Sequence, residues 1–152
     1  MKHFKFLTQY YGEKSLKKFL NKLNIYKTPN PLSNACDDTY LKNKKAGIEL
    51  TFSHPESIKE GKRKYPAGAL VLSNIRYYGA RIGKFHVYKE KLPYGIKFEQ
   101  MKSDLFPLLG EPEWKNPEES RLRWILNNHT LHITLNNENR VIIVSMGIPF
   151  NP

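Results

Sequence analysis

The sequence holds one cysteine, Cys36, in 152 residues. No internal disulfide can form, so a packed core has to hold the chain together, as expected of a protein in a reducing cytoplasm. Long apolar runs are missing too. Nothing approaches the roughly 20 apolar residues that a membrane-spanning helix needs, so no membrane partner is expected. The N-terminal stretch MKHFKFLTQYYGEKS has neither an apolar h-region nor a small-residue cleavage site, and nothing in it marks the chain for export. Acidic residues are scarce: 14 Asp and Glu stand against 25 Lys and Arg, a net charge of +11.

What is present describes a globular domain. With 39% hydrophobic and 12% aromatic residues, the chain can build a core, and its length suits one domain, residues 1–152. The charge is unevenly spread. Residues 1–64 carry 14 Lys and Arg against 6 Asp and Glu, and residues 65–152 carry 11 against 8. Such a field can steer an anionic partner, or it can be plain composition in a chain rich in Lys, Asn, Ile and Tyr.

Periodicity gives the elements. Between Glu13 and Asn24, Leu16, Phe19, Leu20 and Leu23 form an apolar stripe, with Lys14, Lys17, Lys18 and Lys22 facing water. Phe98, Met101, Leu105, Leu108 and Leu109 repeat that spacing in a second helix, stopped by Gly110 and Pro112 and disturbed by Pro107. Ile48, Leu50 and Phe52 alternate with Glu49 and Thr51, the period of a half-buried strand. Further strands are predicted at Phe4 to Leu7, Thr39 to Lys42, Ala69 to Tyr77, Phe85 to Tyr88, Leu122 to Leu126, Leu131 to Leu135 and Val141 to Met146. Asn127-Asn128 and Asn136-Asn137 mark turns.

The halves repeat. Tyr11-Gly12 matches Tyr94-Gly95, and Ile48, Leu50, Phe52 match Leu131, Ile133, Leu135, both 83 residues apart. The last strands, from Leu70 and Val141, are 71 apart. The expected fold is α+β: an antiparallel sheet of two α-β-β-β repeats, about 1–84 and 85–152, with both helices on one face.

Gly95, Leu105, Leu109, Gly110 and Pro112, followed by Arg123-Trp124 and His132 to Leu135, resemble the helix and three-strand repeat of the beta-lactamase-inhibitor and outer-membrane-assembly lipoprotein superfamily. The tandem arrangement, with GIELTF and LPYGIKF, is similar to immunity proteins encoded beside polymorphic or contact-dependent growth-inhibition toxins. That resemblance implies a cytoplasmic bacterial protein, without enzymatic activity or cofactor, whose open sheet face occludes a cognate toxin domain, a nuclease being the expected kind. Met101 stands where a capping Ser or Thr is expected in the pattern.

No catalytic constellation is legible. His129 and His132, three apart in a strand, point to opposite faces and make a poor metal pair. Gly12-Glu13-Lys14-Ser15 lacks the glycine spacing of a phosphate loop, and Cys36 beside Asp37 and Asp38 is badly placed for a thiolate. The candidate toxin-binding residues are those of the sheet face opposite Ile48, Leu50 and Phe52, namely Glu49, Thr51, His132 and Thr134. Arg76, Tyr77, Tyr78, Arg81 and Arg123 are added as residue types that anchor interfaces. The alternative is a nucleic-acid-binding module using Lys59, Lys62, Arg63, Lys64 and Tyr65.

Overall fold

A computed structural model of the chain describes residues 3–33, 37–58 and 63–149. Two helices, α1 (Lys14–Lys22) and α2 (Lys102–Leu109), accompany seven strands: β1 (Asp38–Asn43), β2 (Ile48–Ser53), β3 (Val71–Tyr78), β4 (Trp114–Lys115), β5 (Arg121–Leu126), β6 (His129–Leu135) and β7 (Val141–Gly147). All seven form one antiparallel sheet in the order β1-β2-β3-β7-β6-β5-β4. The class is α+β, with the sheet predominating. The two halves of the chain meet where β3 pairs with β7. Among the described residues no helix is long and apolar enough to cross a membrane.

One apolar cluster holds the fold together. Ile48, Leu50 and Phe52 of β2, Leu131 and Ile133 of β6, and Val144 and Met146 of β7 are fully buried in it, joined by Leu16, Phe19 and Leu20 of α1 and Leu105 of α2. Each such side chain contributes about 1.5–3 kcal/mol by leaving water. In α1 the stripe falls as its spacing requires, with Lys14, Lys17, Lys18 and Lys22 exposed. The helix ends as Asn24 takes a φ of +56° and the Ile25 amide donates to the Leu20 carbonyl at 3.0 Å.

Helix α2 starts later than its apolar spacing suggests, at Lys102 rather than near Phe98. The residues ahead of it are committed elsewhere: the Glu99 amide donates to the Val141 carbonyl, the Val141 amide to that of Gln100, and the Lys102 amide to that of Asn139. Met101 makes no side-chain oxygen cap, and Asp104 supplies the other half of a capping box by accepting the Met101 amide at 3.1 Å. Pro107 lies inside the helix, and Gly110, at φ +79°, ends it.

Two predicted strands are absent. His3–Phe6 is a short 3-10 helix, and the chain meets the sheet only after it, where the Thr8 amide donates to the Leu72 carbonyl, the Leu72 amide to that of Gln9, and Tyr10 bridges Val71. Phe85 to Tyr88 is irregular: the His86 amide donates to the Lys44 carbonyl and the Tyr88 amide to that of Tyr78. Gly47 makes this crossing possible, because a Cβ there would meet the backbone of residues 86–88. The turn at Asn127-Asn128 has both residues at positive φ (48° and 67°), as a tight hairpin requires. In the next turn the positive-φ residue is Asn139, while the Asn136 side chain accepts the amides of Glu138 and Arg140.

Both halves carry a β-bulge at the matching place. Thr51 pairs with Asn74 but Phe52 with Leu72, leaving Ser73 extra; Thr134 pairs with Ile143 but Leu135 with Val141, leaving Ile142 extra. The partner of Leu50 is Ile75 and that of Ile133 is Val144, so the closing strands correspond at 69 residues and not 71. A bulge reverses which side chains point inward on the residues after it. Ile75 and Tyr77 therefore face the core, and Asn74, Arg76 and Tyr78 the other side.

Candidate functional site

The sheet face turned away from the core carries a transverse row crossing all seven strands: Lys42, Glu49, Arg76, Ser145, His132, Arg123 and Trp114, each directly opposite the next. Beside it Tyr40, Thr51 and Asn74 form a second row, and Tyr78, Ile143, Thr134 and Arg121 a third. The face encloses an open cleft of about 690 Å³, lined by Glu49, Thr51, Arg76, Arg123, His132 and Thr134 among others. An exposed aromatic stands on the strand at each edge, Tyr40 on β1 (52% exposed) and Trp114 on β4 (39%).

Much of the floor is fixed internally. Ser53 Oγ donates to the Asp38 carboxylate at 2.6 Å and lies 2.7 Å from Ser73 Oγ, and the Tyr78 hydroxyl donates to Glu49 at 3.4 Å. Arg123 grips Glu113 with two hydrogen bonds (2.8 and 3.3 Å) and lies over the Trp114 ring at 5.2 Å. Those bonds hold the Glu113 carboxyl below its ordinary range. Partial burial, then the Arg123 and Arg76 guanidiniums, push the pKa of His132 down, so the ring is neutral at pH 7. Arg76 and Arg121 stay exposed and form no ion pair among the described residues; Arg76 spends one donor on the Tyr78 hydroxyl, and both guanidiniums keep donors for carboxylates. Ser145 and His132 are cross-strand neighbours, but no hydrogen bond couples them as a nucleophile and its base require. No three His, Cys, Asp or Glu side chains among the described residues group as metal ligands would.

Of the residues expected on this face, Glu49, Thr51, Arg76, Arg123, His132 and Thr134 line the cleft. Tyr78 faces the same way but is largely covered, stacked on Phe85 at 4.0 Å between ring centres. Tyr77 needs correction. It is fully buried on the opposite side, its hydroxyl 2.8 Å from His3 Nδ1 and its ring packed on Tyr88, because the bulge at Ser73 turns it inward. Arg81 lies beyond the end of β3 and outside the cleft. Trp124 belongs to the core and donates its indole N–H to the Gly110 carbonyl at 3.0 Å, which settles Arg123 as outward-facing.

Sequence reasoning missed Tyr40, Asn74, Trp114, Arg121 and Ser145. Arg121 was within reach, since Arg121 and Arg123 flank the inward Leu122. Trp114 was not, because β4 is two residues long and has no period to read. In the basic loop, Lys59 and Lys62 lie outside the described residues. Arg63 is spent on structure: it pairs with Glu13 and sits over the rings of Tyr10 and Tyr65, and the Tyr65 hydroxyl donates to the Thr8 carbonyl at 2.6 Å. Lys64 is exposed.

No protein-family model matches the chain, and no curated protein matches it. Among solved structures, a DUF4309-family protein, YjgB, from Bacillus subtilis is similar at 13% identity with a TM-score of 0.42, over 88% of this chain and 77% of that one. A likeness that loose carries no argument about function.

Proposed function

We propose that this chain is a non-catalytic binding protein that docks a partner protein on its open sheet face, acting as an immunity protein that occludes a cognate toxin domain. The observation that carries the reading is the seven-residue row across the whole sheet, edged by Tyr40 and Trp114, with Arg76 and Arg121 exposed in the cleft and without an ion pair among the described residues. Arginine and exposed aromatic rings are the residue types that most often anchor protein interfaces. Occlusion needs only affinity and placement, and about 800 Å² per partner is enough. These exposed guanidiniums select a partner surface that offers carboxylates, which suits a basic inhibitor of a toxin domain with an acidic patch.

Co-expression with the toxin domain encoded beside the gene tests this. The chain is expected to protect the cells and to co-purify with the toxin, and Arg76→Glu with Arg121→Glu to lose both while remaining folded. Arg76 and Arg121 make a cleaner test than Arg123, whose reversal would also set two carboxylates against each other at Glu113. Failure of the parent chain to protect or co-purify would end the immunity reading.

A further inference from the structure

On the side of the sheet opposite the cleft, two hollows adjoin and share His3 and Lys22. One, of about 670 Å³, lies between the end of α1, the turn after β1 and the irregular segment at 87–91; the other, of about 530 Å³, lies between the N-terminal 3-10 helix and α1. Their rims carry Lys5, Lys18, Lys22, Lys45, Lys89 and Lys91, all exposed, against a single acidic residue, Glu90. None of these six lysines forms an ion pair among the described residues, although Lys102, Lys115, Arg63, Arg123 and Arg140 all do. His3 sits at the junction, its ring on Phe19 at 4.7 Å and its Nδ1 tied to Tyr77, so the floor between the hollows is anchored to the core.

We infer that this ridge is a binding site for the phosphate backbone of nucleic acid, separate from the open sheet face. Six unpaired ammonium groups facing one carboxylate repel one another, and a polyanion relieves that by releasing its own condensed counterions. Shape decides between polyanions. Lysines on the rims of adjoining concavities can flank a strand lying along them, whereas a flat bilayer cannot enter a hollow. The apolar stripe of α1 is also turned into the core and has nothing left to insert into lipid. Lysine, a strongly hydrated point charge without the planar fork that reads a base edge, positions phosphates without choosing a sequence. Arg63 and Tyr65 are tied to the N-terminal segment, and the site is the ridge on the helix side.

The test is fluorescence anisotropy of the full chain with labelled random-sequence 20-mers of single-stranded DNA, duplex DNA and RNA, across a salt series from 50 to 200 mM. Binding is expected to be sequence-indifferent and to fall steeply with salt, with a log–log slope approaching about −5 on duplex if all six lysines engage. Lys18→Gln/Lys22→Gln/Lys89→Gln should flatten that slope by about 3. Lys5→Gln/Lys45→Gln/Lys91→Gln, drawn mostly from other elements, should do the same, so a folding defect in one triple cannot decide the matter. Arg76→Gln/Arg121→Gln, on the far face, should leave the slope unchanged. No binding by the parent at 50 mM salt would overturn the inference, as would undiminished binding by both triples. Tighter binding to phosphatidylserine vesicles than to every oligonucleotide would reassign the ridge to a membrane surface.

Discussion

Single residues decide how closely two segments approach, and the glycines separate two kinds of cost. Gly110 has φ +79° and ψ −165°, a region almost reserved for glycine, with open space where a Cβ would stand, so the cost of Gly110→Val is one of backbone conformation alone, about 1–3 kcal/mol. Gly47, at φ +72°, would also drive its Cβ into the backbone at 86–88. Gly47→Ala is therefore expected to cost more than Gly110→Ala, by about 1–3 kcal/mol of overpacking, and urea midpoints for the two variants check the order. Reversal would mean that the 86–88 segment moves aside freely. Gly110 was legible from its place after Leu108-Leu109 and before Pro112. Gly47 was not, because its constraint comes from residues 40 positions away. Histidines set the response to acid. Burial is the main cause that lowers His3, His129 and His132 below their ordinary 6.5. The unfolded chain therefore binds more protons than the folded one below pH 6.5, and stability present above that value is lost as pH falls through it. Melting temperature should drop between pH 7 and pH 5, above the range where Glu113 and Glu119 begin to take up protons. His129→Gln, which removes the ring 2.5 Å from the Tyr94 hydroxyl, should narrow the difference between the two pH values even if it lowers both melts. Equal melting temperatures for the parent at pH 7 and pH 5 would contradict the assignment.

Whole elements were most legible where a period ran long enough. Helix α1 follows from its stripe, β2, β5 and β6 from alternation, and β7 from an apolar run after the Asn136-Asn137 turn. Where prediction failed, tertiary pairing outbid local pattern. Phe98 and Met101 have helical spacing, yet residues 99–102 hydrogen-bond with 139–141, so α2 has only eight residues. Its proline is the clearest element-scale prediction. Pro107 is the sixth residue of α2 and cannot donate the bond that position owes to the Ser103 carbonyl. Pro107→Ala should restore it and stabilise the domain by about 1 kcal/mol or more, since alanine is favoured over proline by about 3 kcal/mol in an open helix interior. An unchanged or lower denaturation midpoint would show that the helix is already relaxed around the proline. The bulges were invisible in the sequence, because a single extra residue in β3 leaves the composition of the strand intact while reversing the direction of everything after it. Tyr77 was expected beside the open face by residue type alone, and the register after the bulge puts it in the core instead.

The molecule as a whole presents two chemically distinct sides. On one, residues from all seven strands, most of them polar or charged, line a cleft with an aromatic at each edge; on the other, an apolar core is capped by lysine-rich α1 and the N-terminal segment. Four of the cleft residues were readable from parity alone, since Glu49, Thr51, His132 and Thr134 had to oppose the apolar positions. The row across the sheet was not, because it depends on β3 pairing with β7 and on registers that no single strand encodes. The proposed function makes that row a docking face, and charge carries the claim furthest at Arg76 and Arg121. The direct test is isothermal titration calorimetry of the purified chain against the toxin domain that the proposed function expects to be encoded beside its gene. A single equimolar transition is expected, weakened at least tenfold, about 1.4 kcal/mol, by Arg76→Glu/Arg121→Glu and unchanged by Lys18→Gln/Lys22→Gln on the far side. No heat of binding for the parent, or a double arginine variant that binds as tightly as the parent, would contradict it.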